Sequence, residues 1–172
     1  VYGYSPKMRF DLVINRMTYE AWKNKRLLLM KDGNQRRPTL HIKDAIRAME
    51  FILNKESVLV NGEIFNVGCE GNNMKIVEIA KLINTFFGNK LKIEWYGSKD
   101  DRSYFVNFDK IREIGFKGKY KPIDGIKQLI KKLENKIIDL DPHTLTLDWY
   151  KNLESWNDYL NKIKYNNKLI KF

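Results

Sequence analysis

The chain has 172 residues and a formal net charge of +11, and its 43% of hydrophobic residues are enough to build one compact domain with a real core. No apolar run approaches the ~20 residues of a helical membrane span, and no signal-peptide pattern opens the chain. Cys69 is the single cysteine, which excludes an intrachain disulfide and makes a cytoplasmic compartment the default expectation.

The spacing of apolar residues predicts a mixed α/β chain with helix in excess. Val13, Met17 and Ala21 mark a first helix over about 11–22 with Asp11 as its N-cap. Leu27-Leu28-Leu29-Met30 reads as a short strand ended by Asp32-Gly33. Pro38 holds the next segment extended to Ile42, and a second helix is expected from Asp44 to about Leu53, its stripe made of Ala45, Met49 and Ile52. Glu63 to Val67 reads as a strand ending at Gly68. The loop Gly71-Asn72-Asn73 then caps a helix from Met74 to Phe87, stopped by Gly88. Leu91 to Trp95 alternates as a strand, and a short extended piece is expected at Tyr104-Phe105-Val106. A short helix follows from Asp109, and a longer one from about Ile123 to Lys136. Asp141-Pro142 starts the last helix, whose Trp149, Leu153, Trp156, Leu160 and Ile163 are expected to pack inside the molecule.

The most informative stretch is Gln35-Arg36-Arg37-Pro38-Thr39-Leu40-His41-Ile42-Lys43-Asp44. Two guanidinium groups on a stiff strand edge suit a bidentate grip on a phosphate or carboxylate, the alternative being a solvated surface pair. The positive charge also favours an anionic ligand. The basic residues are nevertheless spread over every segment, and no nucleic-acid module is visible, so a nucleic-acid partner is not expected. With one cysteine and two distant histidines, no metal site is proposed; His41 is read as structural and His143 as exposed.

Six motifs stand in a definite order: Val-Tyr-Gly at 1–3, Ser-Pro-Lys-Met-Arg at 5–9, Asp-Leu-Val-Ile-Asn at 11–15, Arg-Arg-Pro-Thr-Leu-His-Ile-Lys-Asp at 36–44, Gly-Glu-Ile-Phe-Asn-Val-Gly at 62–68 and Asp-Asp-Arg-Ser-Tyr at 100–104. The series resembles the C-terminal half of an extended short-chain dehydrogenase/reductase, the nucleotide-sugar epimerase/dehydratase family, over roughly 1–135. The resemblance implies the C-terminal part of a Rossmann-type α/β fold, helix-rich with short strands, without the N-terminal dinucleotide-binding half. Residues 1–136 are then a nucleotide-sugar-binding region and 137–172 a helical extension. Val1-Tyr2-Gly3, a strand-like pair running straight into glycine, resembles the middle of a folded protein.

In that family NAD(P) binds to the upstream half, where a Tyr-x-x-x-Lys pair and a Ser or Thr carry the chemistry. No glycine-rich dinucleotide motif occurs here, and no tyrosine with lysine four residues on follows a strand–helix context. The resemblance therefore implies NAD(P) in the intact parent enzyme and none on this chain alone, which is expected to be inactive by itself. The implied partners are a nucleotide-diphosphate sugar and the missing Rossmann half. Substrate-binding roles carry over to Asn15, at a helix start where amide donors favour anions, to Arg37 against the diphosphate, and to Asp101 and Arg102 in the loop near phosphate and ribose. In many relatives the arginine of that loop precedes the acid, and here it follows. Lys7 and Arg9 lie in the loop that in relatives passes near the nicotinamide and the sugar. The alternative reading is a stand-alone binding or interaction protein derived from that family.

Overall fold

In chain order the elements are α1 (Val13–Asn24), β1 (Arg26–Met30), β2 (Arg36–Pro38), α2 (Ile42–Leu53), α3 (Ser57–Val60), β3 (Asn73–Lys75), α4 (Ile76–Phe86), β4 (Lys92–Tyr96), α5 (Asp109–Glu113), α6 (Pro122–Glu134) and α7 (Thr146–Lys162). The computed structural model describes residues 1–162, with Glu70 by its backbone alone, and the backbone at 164, 165, 168 and 169. Ile163, expected on the last helical stripe, lies outside the described residues.

β1 and β4 pair in parallel, Leu27 opposite Ile93 and Leu29 opposite Trp95. A parallel pair needs a long crossover, and the segment carrying α2 and α4 supplies it. Leu27 and Leu29 point to one side of β1, are fully buried, and contribute about 1.5–3 kcal/mol each by burial. α1 and α4 cover that side, and α6 packs against both helices. Ile14, Met17 and Ala21 of α1, Ile79, Ala80 and Ile83 of α4, and Ile126 and Ile130 of α6 close the main core. β2 and β3 form a separate antiparallel pair, with Arg37 opposite Met74.

Several boundaries differ from the sequence expectation, each for a local reason. α1 starts after Leu12, which offers no side-chain cap. Asp11 instead forms an ion pair with Arg9 at 2.7 Å. α2 starts at Ile42, not at Asp44, because the His41 ring accepts from the Lys43 N–H and serves as its N-cap. Asp44 falls in the first turn, 1% exposed, where its carboxylate accepts from the backbone N–H groups of Lys119 (2.9 Å) and Tyr120 (2.8 Å). The Glu63–Val67 segment is not a strand. Phe65 and Val67 pack beside Phe108 and Phe116, but no strand lies alongside to complete a ladder among the described residues. Tyr104–Val106 is likewise not a strand. The Asn73 carboxamide takes the place of a neighbouring strand there, donating to the Val106 carbonyl (2.9 Å) and accepting from the Val106 N–H (3.1 Å). The loop at 71–73 does not cap α4 with its own side chains; Asn73 belongs to β3, and Glu78 accepts from the Lys75 N–H at the helix start. The last helix was expected to pack inside. Instead α7 buries none of its residues, and Leu153, Trp156 and Leu160 are exposed.

Candidate functional site

β2 carries Arg37 to the mouth of a cavity of about 180 Å³ between α1, β1 and the loop after β4. Its walls are Val13, Arg16 and Met17 from α1, Leu28 and Met30 from β1, and Ile76 at the start of α4. Gln35, Arg37, Tyr96 and Asp100 supply the polar rim with Asp11. The loop 99–107 is fixed against β2 and β3 by the Arg36 N–H donating to Ser103 Oγ (2.9 Å) as well as by Asn73.

Asp100 is the hinge of this rim. Its carboxylate accepts from Arg37 Nη2 at 2.8 Å and from Arg102 Nε at 2.8 Å and Nη2 at 3.1 Å, so one anion joins both guanidinium groups. The hydrogen bonds from Arg102, aided by the charge of Arg37, hold the Asp100 carboxyl below the ordinary aspartate range. The same contact raises Arg102. Arg37 also donates to the carbonyls of Arg36 (2.9 Å) and Arg102 and lies over the Tyr104 ring. Arg36 turns the other way, donating to the Asn73 carbonyl, as alternate strand residues must.

The four residues singled out from the sequence separate into different settings. Arg37 and Arg102 are brought together, and Asp100, not Asp101, sits between them; Asp101 is 84% exposed at its side chain and pairs with Lys99. Asn15 is 3% exposed, with Oδ1 accepting from the Gly3 N–H (3.1 Å) and Nδ2 donating to the Arg9 carbonyl (2.9 Å). It ties the 3–9 loop to α1 and lines a second cavity of about 340 Å³ with Lys7, Arg9, Ser5 and Gly3. Arg16, one position later and on the next face of α1, is the residue that reaches the Arg37 cavity, oriented by Glu20 at 2.9 Å. Neither Arg16 nor Gln35 was picked out from the sequence. The signal for Arg16 was its place next to Asn15 on a helix whose buried face was already predicted.

Tyr19 and Lys23 have the four-residue spacing of a tyrosine–lysine pair. They do not form a proton-transfer site. The Tyr19 ring is buried against Phe10 and Leu129, its hydroxyl donates to Asp139 (3.2 Å), and burial with that carboxylate raises its pKa, the opposite of activation. β1 runs through a turn into β2, not through a glycine loop into a helix N-terminus. No metal-ligating cluster occurs among the described residues, and no described helix is long and apolar enough to cross a membrane.

Residues 1–68 match the model of the NAD dependent epimerase/dehydratase family. A curated relative, the uncharacterized UDP-glucose epimerase YtcB of Bacillus subtilis (strain 168), is 25% identical over 92 residues, 54% of this chain and 28% of that protein. Among solved structures, the dTDP-glucose 4,6-dehydratase of Bacillus anthracis str. Ames in complex with NAD is 29% identical with a TM-score of 0.61, covering 77% of this chain and 42% of that one. The UDP-N-acetylglucosamine 4-epimerase of Bacillus cereus is 26% identical with a TM-score of 0.62, over 83% and 45%. The chain thus spans less than half the length of these relatives. The chain is thus similar to the NAD dependent epimerase/dehydratase family in sequence over residues 1–68, and in fold to this dehydratase and this epimerase over 77% and 83% of its length.

Proposed function

We propose that this chain is the substrate-binding portion of an NAD(P)-dependent nucleotide-sugar epimerase or dehydratase, and that the cavity between α1, β1 and Arg37 holds the nucleoside diphosphate. The observation that carries the reading is the Arg37–Asp100–Arg102 arrangement. A carboxylate bound by two guanidinium groups stands where a phosphate binds, since both anions accept the same forked donors. A diphosphate takes over those donors, and Asp100 is released toward the ribose hydroxyls. The apolar walls from Met17, Leu28, Met30 and Ile76 suit the base. The matched enzymes whose names specify dTDP- and UDP-sugars supply the nucleotide class.

In this reading the chain's own residues bind and orient the substrate. The NAD(P) half would supply the redox chemistry, and the apolar groove of Leu40, Ala45, Met49, Ile52, Leu53, Phe65 and Val67 offers it a docking face. Residues 137–172 form an appended region in this reading, whose described part carries α7 and a short antiparallel pair at 164–165 and 168–169. Calorimetric titration of the chain with UDP-glucose and dTDP-glucose tests the proposal: binding is expected and is lost on Arg37→Ala. Equal affinity in the wild-type chain and the variant contradicts it.

A further inference from the structure

α7 carries an apolar seam that the other described residues leave uncovered. Its first turn is held to the body: the Leu147 N–H donates to the Asp11 carboxylate at 3.4 Å, and the Trp149 ring lies against His143 with centroids 4.1 Å apart. From Tyr150 to Lys162 every residue is exposed, Trp156 at 61%. A helix of 17 residues is marginal in water by itself and ordinarily gains its stability by packing one apolar face. Trp149, Leu153, Trp156 and Leu160 follow one another at intervals of four, three and four residues. That is the 3.5-residue period of a two-helix seam, narrower than the face of a helix laid on a globular core.

The pattern also says what covers the seam. It reads Trp-Leu-Trp-Leu along the chain and Leu-Trp-Leu-Trp in reverse. Two copies laid antiparallel about the point between Leu153 and Trp156 therefore set each tryptophan against a leucine. Large against small fills the space between helices, whereas a parallel pair would stack Trp156 on Trp156. Opposed helix dipoles favour the antiparallel arrangement as well. The positions flanking the seam are Tyr150, Asn152, Asn157 and Tyr159, all uncharged, so no like charges meet across two identical helices. Tyr159 is edge-on to Trp156, with centroids 6.1 Å apart, and widens the seam. The charged residues Asp148, Lys151, Glu154, Asp158 and Lys162 lie off it. Three acids against two bases do not suit an anionic membrane or a nucleic acid.

We propose that α7 is a self-association element and that its partner is α7 of a second copy of this chain, packed antiparallel. The exposed parts of Tyr150, Leu153, Trp156, Tyr159 and Leu160 amount to roughly 500 Å² per copy, so the pair buries about 1,000 Å². That area is at the lower edge of a specific interface and fits a reversible dimer. The proposal is independent of the diphosphate reading.

Sedimentation velocity on the full chain, from about 5 to about 500 μM, tests it. The wild type is expected to pass from one chain mass to two across that range. Leu153→Glu puts a charge into the seam and is expected to weaken association by at least about tenfold. Lys151→Gln, on the opposite face of α7, is expected to leave it unchanged. Single-cysteine chains report the orientation: in a Cys69→Ser background, Leu153→Cys and Trp156→Cys are expected to oxidise together into a mixed disulfide dimer. A wild type that stays monomeric at about 500 μM overturns the proposal, and that result depends on no variant folding. A dimer insensitive to Leu153→Glu but lost with Met49→Glu also overturns it, and assigns self-association to the groove beside α2. Leu153→Cys homodimers formed in preference to the mixed species overturn the antiparallel packing.

Discussion

His41 is 1% exposed, stacked on Tyr120 with ring centroids 4.6 Å apart and edge-on to Tyr2. Burial lowers its pKa from the ordinary 6.5, against the opposing pull of Gln128 and Asp44; Lys43 and Asp124 are the other charges facing it. A histidine depressed in the folded state takes up its proton first in the unfolded chain. Folding stability is therefore level above the ordinary value and falls as pH drops below it toward the folded value. Chemical denaturation between pH 7.5 and 5 is expected to show this decline, and His41→Asn, which keeps an acceptor for the Lys43 N–H, is expected to flatten it. The structural role of His41 was legible because it follows an extended strand and precedes a helix. Asp44 was legible as a helix-start residue but not as the buried acceptor of two backbone N–H groups some seventy-five residues away. Asp100 and Asp101 were indistinguishable by composition. Which one meets the arginines depends on the loop being anchored through Ser103 and Asn73.

At the scale of elements, α6 shows packing overriding propensity. Gly125 lies inside this helix, where alanine is ordinarily favoured over glycine by about 1 kcal/mol. A Cβ at that position meets the Tyr2 ring at 2.5 and 2.6 Å, and the ring is itself pinned in the core. Overpacking of this kind costs typically 1–3 kcal/mol and outweighs the helix gain. Gly125→Ala is expected to lower the midpoint of thermal unfolding, whereas a rise would show that Tyr2 is free to move. The central elements were readable because their periodicity records one core: Leu27 and Leu29, Ile76, Ala80 and Ile83 are buried as the pattern requires. The pattern failed where apolar residues are left exposed among the described residues. In α2 the buried apolar residue is Ala48, while Met49 and Leu53 are 66% and 84% exposed. α7 repeats the point, with a regular apolar stripe and no buried face.

For the whole molecule, the exposed apolar residues of α2 and the 63–67 segment share one groove. In the proposed reading, the apolar face beside Phe65 and Val67 is where a larger body docks. The Arg37 cavity lies between other elements, α1, β1 and the loop after β4, so ligand binding and docking are separable in the proposed reading. The likeness to the family was legible from motif order, because the motifs at 1–3, 11–15 and 36–44 sit at turns and element ends of definite spacing. The division of those residues between two cavities was not, since Asn15 and Arg16 are adjacent in sequence yet face different sides of α1. The most direct measurement is a two-dimensional NMR titration of the isotope-labelled chain with UDP, following backbone and arginine Nε–H signals. Occupation of the Arg37 cavity predicts concerted shifts at Arg16, Gln35, Arg37, Tyr96 and Arg102, while Gly3, Lys7 and Asn15 stay in place. Shifts confined to the Gly3, Lys7 and Asn15 cavity, or no shifts at millimolar UDP, would contradict it.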